Sequence, residues 1–313
     1  MKVLVFADVE GISGIDDPKM LSVDIDRVKT LTTGDINAAI RGLRRAGVSE
    51  IDIFDGHGMG GNIIVEDLEE GANCLGGGWM TLLRTMIDAG SFKSYDAVVL
   101  VGLHAAEGTA DGFISHTNTG MTALRINGNF AGESPQIAWL AGHFDVPTVL
   151  VSGDDAVVRE AKALLPGIEG VVVKKSSSRT ETKTLPGNEA HTLIEEMTCK
   201  SIQKLRECKP FKIKLPITVE ILFLRSEMAE TLAKMPRYKR TDDRTVSYTA
   251  NDFLEAFDAY HACRTVVRMH ILEMAIKQVQ ELEAAKDYLS EWQKSLQEEI
   301  PKETAEAFPL VKY

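Results

Sequence analysis

Two carboxylates follow the first apolar run of the chain. Residues 3–6 are all apolar, which is typical of a strand covered on both faces, as in a parallel sheet. Asp8 and Glu10 come where this strand is expected to end, and side chains two apart on an extended chain point to the same side. Two such carboxylates repel each other unless a cation lies between them or one is protonated. They therefore form half of a metal site, or else a solvated acidic turn.

Two histidines occupy corresponding places after later apolar strands. His57 lies just beyond the run that ends at Asp55, and His104 follows the run 96–103. Parallel strands bring their carboxyl ends to one edge of a sheet, so we expect both imidazoles to meet the two N-terminal carboxylates. Imidazole and carboxylate ligands together suit zinc or another borderline divalent ion. Two carboxylates, two imidazoles and a further acid suit two ions rather than one.

Three other acids near strand ends have two interpretations each. Asp55 either orients His57 or belongs to the turn that follows its strand. Asp154 and Asp155 either bind the free amine of a substrate or begin a helix, and the pattern favours the helix N-cap.

Alternating strand and helix patterns place these residues in a mostly parallel α/β sheet with flanking helices. The polar segment 15–33 is expected to be a loop or a short helix, and the apolar face of 35–46 predicts a helix that Gly47 ends. Strands are predicted over residues 3–6, 50–55, 96–103, 146–152 and 170–175. Further helices are predicted over 80–89, 135–142 and 156–165.

The pattern changes near residue 176, and we place a domain boundary between 180 and 215. Residues 1–180 are predicted to form an α/β metal-binding catalytic domain and 181–265 a smaller α+β part. In that part a helix is predicted over 188–208 and strands over 216–224 and 245–249. Residues 266–313 are predicted to be a helical C-terminal extension.

A long C-terminal helix is expected because residues 251–299 contain neither Gly nor Pro, with Asn251 as its N-cap. Its last part carries an apolar seam at spacings of three and four residues, which is typical of a coiled coil. We expect this seam to contact a neighbouring subunit, and packing on the core of its own subunit is the alternative. The seam consists of Leu282, Ala285, Leu289, Trp292 and Leu296.

Composition limits the partners and the location. The formal net charge of −11 argues against nucleic acid and against anionic membrane surfaces as partners. The four cysteines show no CxxC spacing, which favours a reducing compartment and excludes a cysteine-based zinc site. The N-terminus does not resemble a signal peptide, and no run approaches the ~18 apolar residues of a membrane span. We therefore expect a cytoplasmic protein.

Several short motifs, taken in order over residues 1–265, resemble the zinc-dependent D-aminopeptidase family of the type found with dipeptide-transport genes. The opening signature is Asp8-Val-Glu10-Gly11-Ile-Ser13-Gly14. The other matching segments are Asp55-Gly-His57, Gly102-Leu-His104, Ser115-His116, Gly132-Glu133, residues 145–155 and residues 174–179. The segment between His116 and Glu133 departs from the family pattern and needs a small gap.

The resemblance implies two zinc ions per subunit, with Asp8 bridging them and His116 as the catalytic histidine. It implies a dizinc metallo-aminopeptidase that hydrolyses the N-terminal residue of short peptides, with a preference for D-amino acids, by metal-activated water. A two-metal phosphoesterase and a non-catalytic metal-binding protein are the alternatives. The metal ligands implied by the resemblance are Asp8, Glu10, His57, His104 and Glu133.

The resemblance also implies a ring-based homo-oligomer. The expected assembly is a decamer of two stacked pentamers that encloses the active sites in a central cavity. Such an enclosure would restrict the substrates to short peptides.

Overall fold

The computed structural model describes residues 1–281, which form two β-sheets and eight α-helices. The strands are β1 Lys2–Ala7, β2 Glu50–Asp55, β3 Ala72–Gly77, β4 Ala97–Leu103, β5 Thr122–Ile126, β6 Asn129–Phe130, β7 Thr148–Asp154, β8 Glu169–Ser176, β9 Thr182–Thr184, β10 Ile217–Phe223, β11 Lys239–Arg240 and β12 Thr245–Ala250. The helices are α1 Met20–Val23, α2 Ile25–Arg45, α3 Arg84–Asp88, α4 Glu133–His143, α5 Asp155–Leu164, α6 Gly187–Gln203, α7 Ser226–Ala233 and α8 Phe253–Glu281.

The larger sheet has the strand order β3-β2-β1-β4-β7-β8-β9, and all of its pairs are parallel except β8 with β9. Strand β1 lies between β2 and β4, and its side chains are buried on both faces. Val3 and Val5 belong to the apolar core that includes α2 and α6, whereas Leu4 and Phe6 belong to the core on the opposite face. The predicted α/β class, with a mostly parallel sheet flanked by helices, is confirmed.

A second sheet is antiparallel and has the order β11-β12-β10-β5-β6. It contains the strands predicted over 216–224 and 245–249, and it also takes β5 and β6 from the N-terminal half of the chain. The hairpin at 122–130 was not predicted because its strands are short, although Asn127-Gly128 is a dipeptide typical of two-residue hairpin turns. One sheet therefore draws strands from both sides of residue 180, and the division at 180 and 265 stays a prediction.

Among the helix starts, that of α2 differs most from its prediction. Helix α2 begins at Ile25, so most of the segment predicted as a loop or short helix is helical. Val28, Thr32 and Thr33 are buried there and extend the apolar face toward the N-terminus. Helix α8 begins at Phe253, and the Asp252 carboxylate accepts a hydrogen bond from the Glu255 backbone N–H (2.9 Å), so Asn251 is not its N-cap.

Helix α8 packs against the second sheet and α4 before it extends away from the core. Its exposed apolar side chains include Met269, Leu272 and Ile276. The seam predicted over 282–296 lies outside the described residues. Within residues 1–281, none of the helices combines the length and the apolar character that crossing a bilayer requires.

Candidate metal centre

The ends of β1 and β4 approach each other closely enough to bring their side chains together. Backbone hydrogen bonds join Asp8 N to Val101 O and Gly11 N to Gly102 O, both at 2.8 Å. Gly102 has φ +74°, and a Cβ at this position would lie 2.4 Å from the carbonyl oxygen of Asp8. Only glycine fits such a contact, so Gly102 allows the two strand ends to converge.

Asp8 lies between the two predicted histidine ligands. Its Oδ1 is 3.2 Å from His57 Nδ1, and its Oδ2 is 3.5 Å from His104 Nε2. His57 Nδ1 is also 3.2 Å from Glu10 Oε2. The His104 Nδ1 donates to the carbonyl oxygen of Ala105 at 3.0 Å, which directs the other ring nitrogen toward the carboxylates. The strand-end prediction thus placed these four side chains together correctly.

Glu133 and His116 complete the cluster from outside the parallel strands. Glu133 is the first residue of α4, and its Oε1 is 3.7 Å from His104 Nε2. The His116 ring stacks on His104 with 3.9 Å between ring centroids and 8° between planes. The His116 Nδ1 bonds to the carbonyl oxygen of Ile114 (2.8 Å), and its Nε2 lies 3.9 Å from Glu10 Oε1. All six residues implied by the family resemblance therefore lie in one place.

The imidazoles and carboxylates of this cluster shift one another's pKa values strongly. Burial lowers the pKa of His104, but the nearby carboxylates of Asp8, Glu10 and Glu133 outweigh burial and raise this pKa well above its ordinary value. The pKa of His57 is raised in the same way. Burial raises the pKa of Asp8, but the two imidazoles outweigh it and lower this pKa well below its ordinary value. Positive charge on the neighbouring imidazoles therefore stabilises Asp8 as a carboxylate.

The donor set fits divalent metal ions. Two groups of three side chains share Asp8, and within each group the possible ligand atoms lie within 4.8 Å of one another. Buried Glu10 Oε2 and His104 Nε2 have no hydrogen-bond partner among the described residues. Unpaired acceptors of this kind are suited to a cation. The two groups are Asp8, Glu10 and His57, and Asp8, His104 and Glu133.

Long-range contacts that the sequence patterns did not predict hold the loop that carries Glu10. Lys174 is almost fully buried, and its ammonium donates to the carbonyl oxygens of Glu10 (2.8 Å) and Ile15 (2.7 Å). The Asp35 carboxylate accepts from the backbone N–H (2.8 Å) and the hydroxyl (2.6 Å) of Ser13. These contacts are distant in sequence, so a single sequence carries no signal for them.

The acids near strand ends have structural roles. Asp55 accepts hydrogen bonds from the backbone N–H groups of His57 (3.3 Å) and Asn62 (2.7 Å), so it belongs to the turn. Asp154 caps α5 by accepting from Val157 N at 2.8 Å, as the pattern favoured, and it also accepts from Phe113 N at 2.8 Å. Asp155 accepts from Ser176 N at 2.9 Å.

The Glu160 side chain hydrogen-bonds to the loop between His104 and His116. Its carboxylate accepts from the Ala106 N–H (2.8 Å) and the Thr109 hydroxyl, and burial raises its pKa to about 7. A carboxyl whose folded-state pKa lies above its unfolded value of about 4.5 loses stabilisation as the pH rises through the folded value. Glu160 therefore lowers the free energy of unfolding more at pH 8 than at pH 5.5.

We expect Glu160→Gln to remove this pH dependence. The glutamine can keep both hydrogen bonds, since its oxygen can face Ala106 N and its amide can donate to the Thr109 hydroxyl. The stability of the variant relative to the parent should rise by about 2 kcal/mol between pH 5.5 and pH 8. Urea unfolding of both proteins at the two pH values measures this, and a pH-independent difference would show that Glu160 ionises normally.

The family model for D-aminopeptidases of the peptidase M55 type matches residues 1–262. This match covers the whole metal centre and both sheets. The chain belongs to the D-aminopeptidase family. It is therefore a metallo-aminopeptidase by descent, and its acid and histidine cluster lies within the part of the chain that defines the family.

A sequence comparison and a structure comparison agree with this assignment. A D-aminopeptidase of Bacillus subtilis (strain 168) is 30% identical over 264 residues, which cover 83% of this chain and 95% of that protein. The solved structure of the zinc-dependent D-aminopeptidase DppA from Bacillus subtilis, described as a self-compartmentalizing protease, matches with a TM-score of 0.79 and 28% identity. That match covers 85% of this chain and 97% of the other. The family match ends at residue 262, so the whole C-terminal extension predicted over 266–313 lies outside it.

Proposed function

We propose that this protein is a dizinc aminopeptidase that removes the N-terminal residue of short peptides and prefers D-amino acids. The observation that carries the proposal is the pair of three-residue groups that share Asp8. A carboxylate shared between two sets of ligands is suited to lie between two closely spaced ions. The zinc dependence of DppA supports zinc as the metal.

The proposed ligands would divide between two zinc ions. Asp8 would lie between them, with Glu10 and His57 on one side and His104 and Glu133 on the other. When bound, the zinc ions would polarise the carbonyl of the scissile bond and lower the pKa of a water molecule. The burial of Asp8, Glu10, His104 and Glu133 excludes bulk water and fixes their geometry.

His116 would handle a proton beside the metals. Its Nδ1–H is directed to Ile114 O, which leaves Nε2 facing the cluster. That nitrogen can accept a proton, or, when protonated, donate a hydrogen bond to the developing oxyanion and then transfer the proton to the leaving amine. Stacking on His104 holds the His116 ring in place, so the ring loses little conformational freedom when it transfers the proton.

A panel of aminoacyl substrates tests the proposed function. Zinc-loaded protein should hydrolyse D-alanyl p-nitroanilide faster than the L-isomer and should leave p-nitrophenyl phosphate intact. Hydrolysis of the phosphate alone would favour the two-metal phosphoesterase. Zinc binding without hydrolysis of any aminoacyl substrate would favour the non-catalytic metal-binding protein. The family match supports the aminopeptidase over both alternatives.

We also propose that the chain forms a homo-oligomer, with a decamer as the expected size and the cytoplasm as its location. The description of DppA as self-compartmentalizing supports an assembly that encloses its active sites. Mass photometry at about micromolar concentration should show a species of about ten subunits. A monomer under these conditions would contradict the assembly. Without the assembly, no enclosed cavity would limit the length of the substrates.

A further inference from the structure

A tight turn beside the metal centre presents the side chain of Asn118. The Thr119 N–H donates to Thr117 O at 2.6 Å, and the Tyr260 hydroxyl donates to the same oxygen at 2.9 Å. The Asn118 N–H donates to Glu133 Oε1 at 2.8 Å. The backbone of the turn is therefore fixed on both sides of Asn118, directly against one of the proposed metal ligands and two residues after His116.

The side-chain amide of Asn118 is buried but unpaired. Neither Oδ1 nor Nδ2 has a hydrogen-bond partner among residues 1–281, although both atoms are inaccessible to solvent. A buried amide without partners is unfavourable, so this amide calls for a partner that the chain itself does not supply, either an ordered water or a ligand.

Backbone conformation does not by itself explain this asparagine. Asn118 has φ +58°, a region in which asparagine is enriched. Asn127 has a similar φ of +50°, yet its amide is fully paired: Oδ1 accepts from Thr218 N at 2.8 Å, and Nδ2 donates to Lys214 O at 2.9 Å. A left-handed asparagine in this protein can thus pair its amide with backbone groups of another segment, and Asn118 does not.

We propose that the Asn118 amide binds the backbone of the substrate peptide on the leaving-group side of the scissile bond. An amide offers one acceptor and one donor side by side, which matches a backbone N–H and the neighbouring carbonyl or carboxylate oxygen. Its place beside Glu133 and His116 puts it at the edge of the reacting centre. The inference rests on the proposed function, because it assumes a peptide as the substrate.

The variant Asn118→Gly tests substrate binding by the amide separately from the backbone conformation of the turn. Glycine adopts a positive φ without strain, so the turn is retained while the amide is lost. The KM for D-alanyl-D-alanine should rise about tenfold, as expected for lost hydrogen bonds, with kcat and zinc content nearly unchanged. The KM for D-alanyl p-nitroanilide should change less, since this leaving group has no backbone carbonyl. Asn127→Gly, the matched control, should leave both KM values unchanged.

Equal KM values for the parent and Asn118→Gly would overturn the inference and leave Asn118 a purely conformational residue. Binding of the reduced dipeptide, in which CH2–NH replaces the scissile amide, supplies a second measurement by calorimetry. Weaker binding to Asn118→Gly than to the parent supports the inference even if the parent hydrolyses nothing, in which case only the proposed function fails. Equal binding overturns the inference whatever the activity.

Discussion

Replacing His104 by alanine is expected to abolish turnover and to lower the affinity for zinc. His104 Nε2 lies between Asp8 and Glu133, so its loss removes an imidazole from the second group of ligands and leaves two carboxylates uncompensated. Loss of residues that merely orient ligands already costs about 10- to 100-fold in metal affinity, and a direct ligand should cost more. Elemental analysis and zinc titration of the variant measure the effect.

His143→Ala is the matched control for this substitution. His143 is the last residue of α4, the helix that begins with Glu133, and it is not part of the metal centre. This variant should keep parental zinc content and turnover. Unchanged zinc content in His104→Ala would remove His104 from the ligand set and with it the assignment of the second metal position.

His116→Ala is expected to keep its zinc and to lose most of its activity. Both ligand groups that share Asp8 remain complete without His116. Loss of a positioned acid or base typically costs about 10²- to 10⁴-fold in rate, and we expect kcat to fall within this range. Stopped-time assays with D-alanyl p-nitroanilide at saturating zinc provide the measurement.

The structure also defines what would contradict this role. His116 Nε2, Glu10 and His104 form a third group of atoms within ligand distance of one another. If His116→Ala loses a zinc ion, His116 is a ligand rather than a proton carrier. If kcat equals that of the parent, His116 has no part in the mechanism.

The strand ends of the larger sheet could be predicted because their signals are local. A continuous apolar run followed by Asp8 and Glu10 specifies a buried strand and an acidic end, and the same reasoning places His57 and His104 beside them. The start of α2 was harder to predict than the strand ends, because its first turns are polar and only tertiary packing buries Val28 and Thr32.

The rest of the site depends on contacts that local patterns do not encode. Glu133 begins a helix after an unpredicted hairpin, so only the family resemblance pointed to it. Asn118 lies in the segment where this chain departs from the family pattern, and its sequence signal is an ordinary polar turn. Lys174 reaches the Glu10 loop across 164 residues of chain, which a single sequence cannot reveal.

The most direct test of the central claim is a zinc titration of metal-free protein with turnover measured at each step. Two ligand groups that share Asp8 predict that hydrolysis of D-alanyl p-nitroanilide rises until two zinc ions are bound per subunit and then stays constant. Full activity in the absence of zinc, or no hydrolysis once two ions are bound, would contradict a dizinc aminopeptidase. Full activity at one ion per subunit would retain the aminopeptidase and exclude the second catalytic metal.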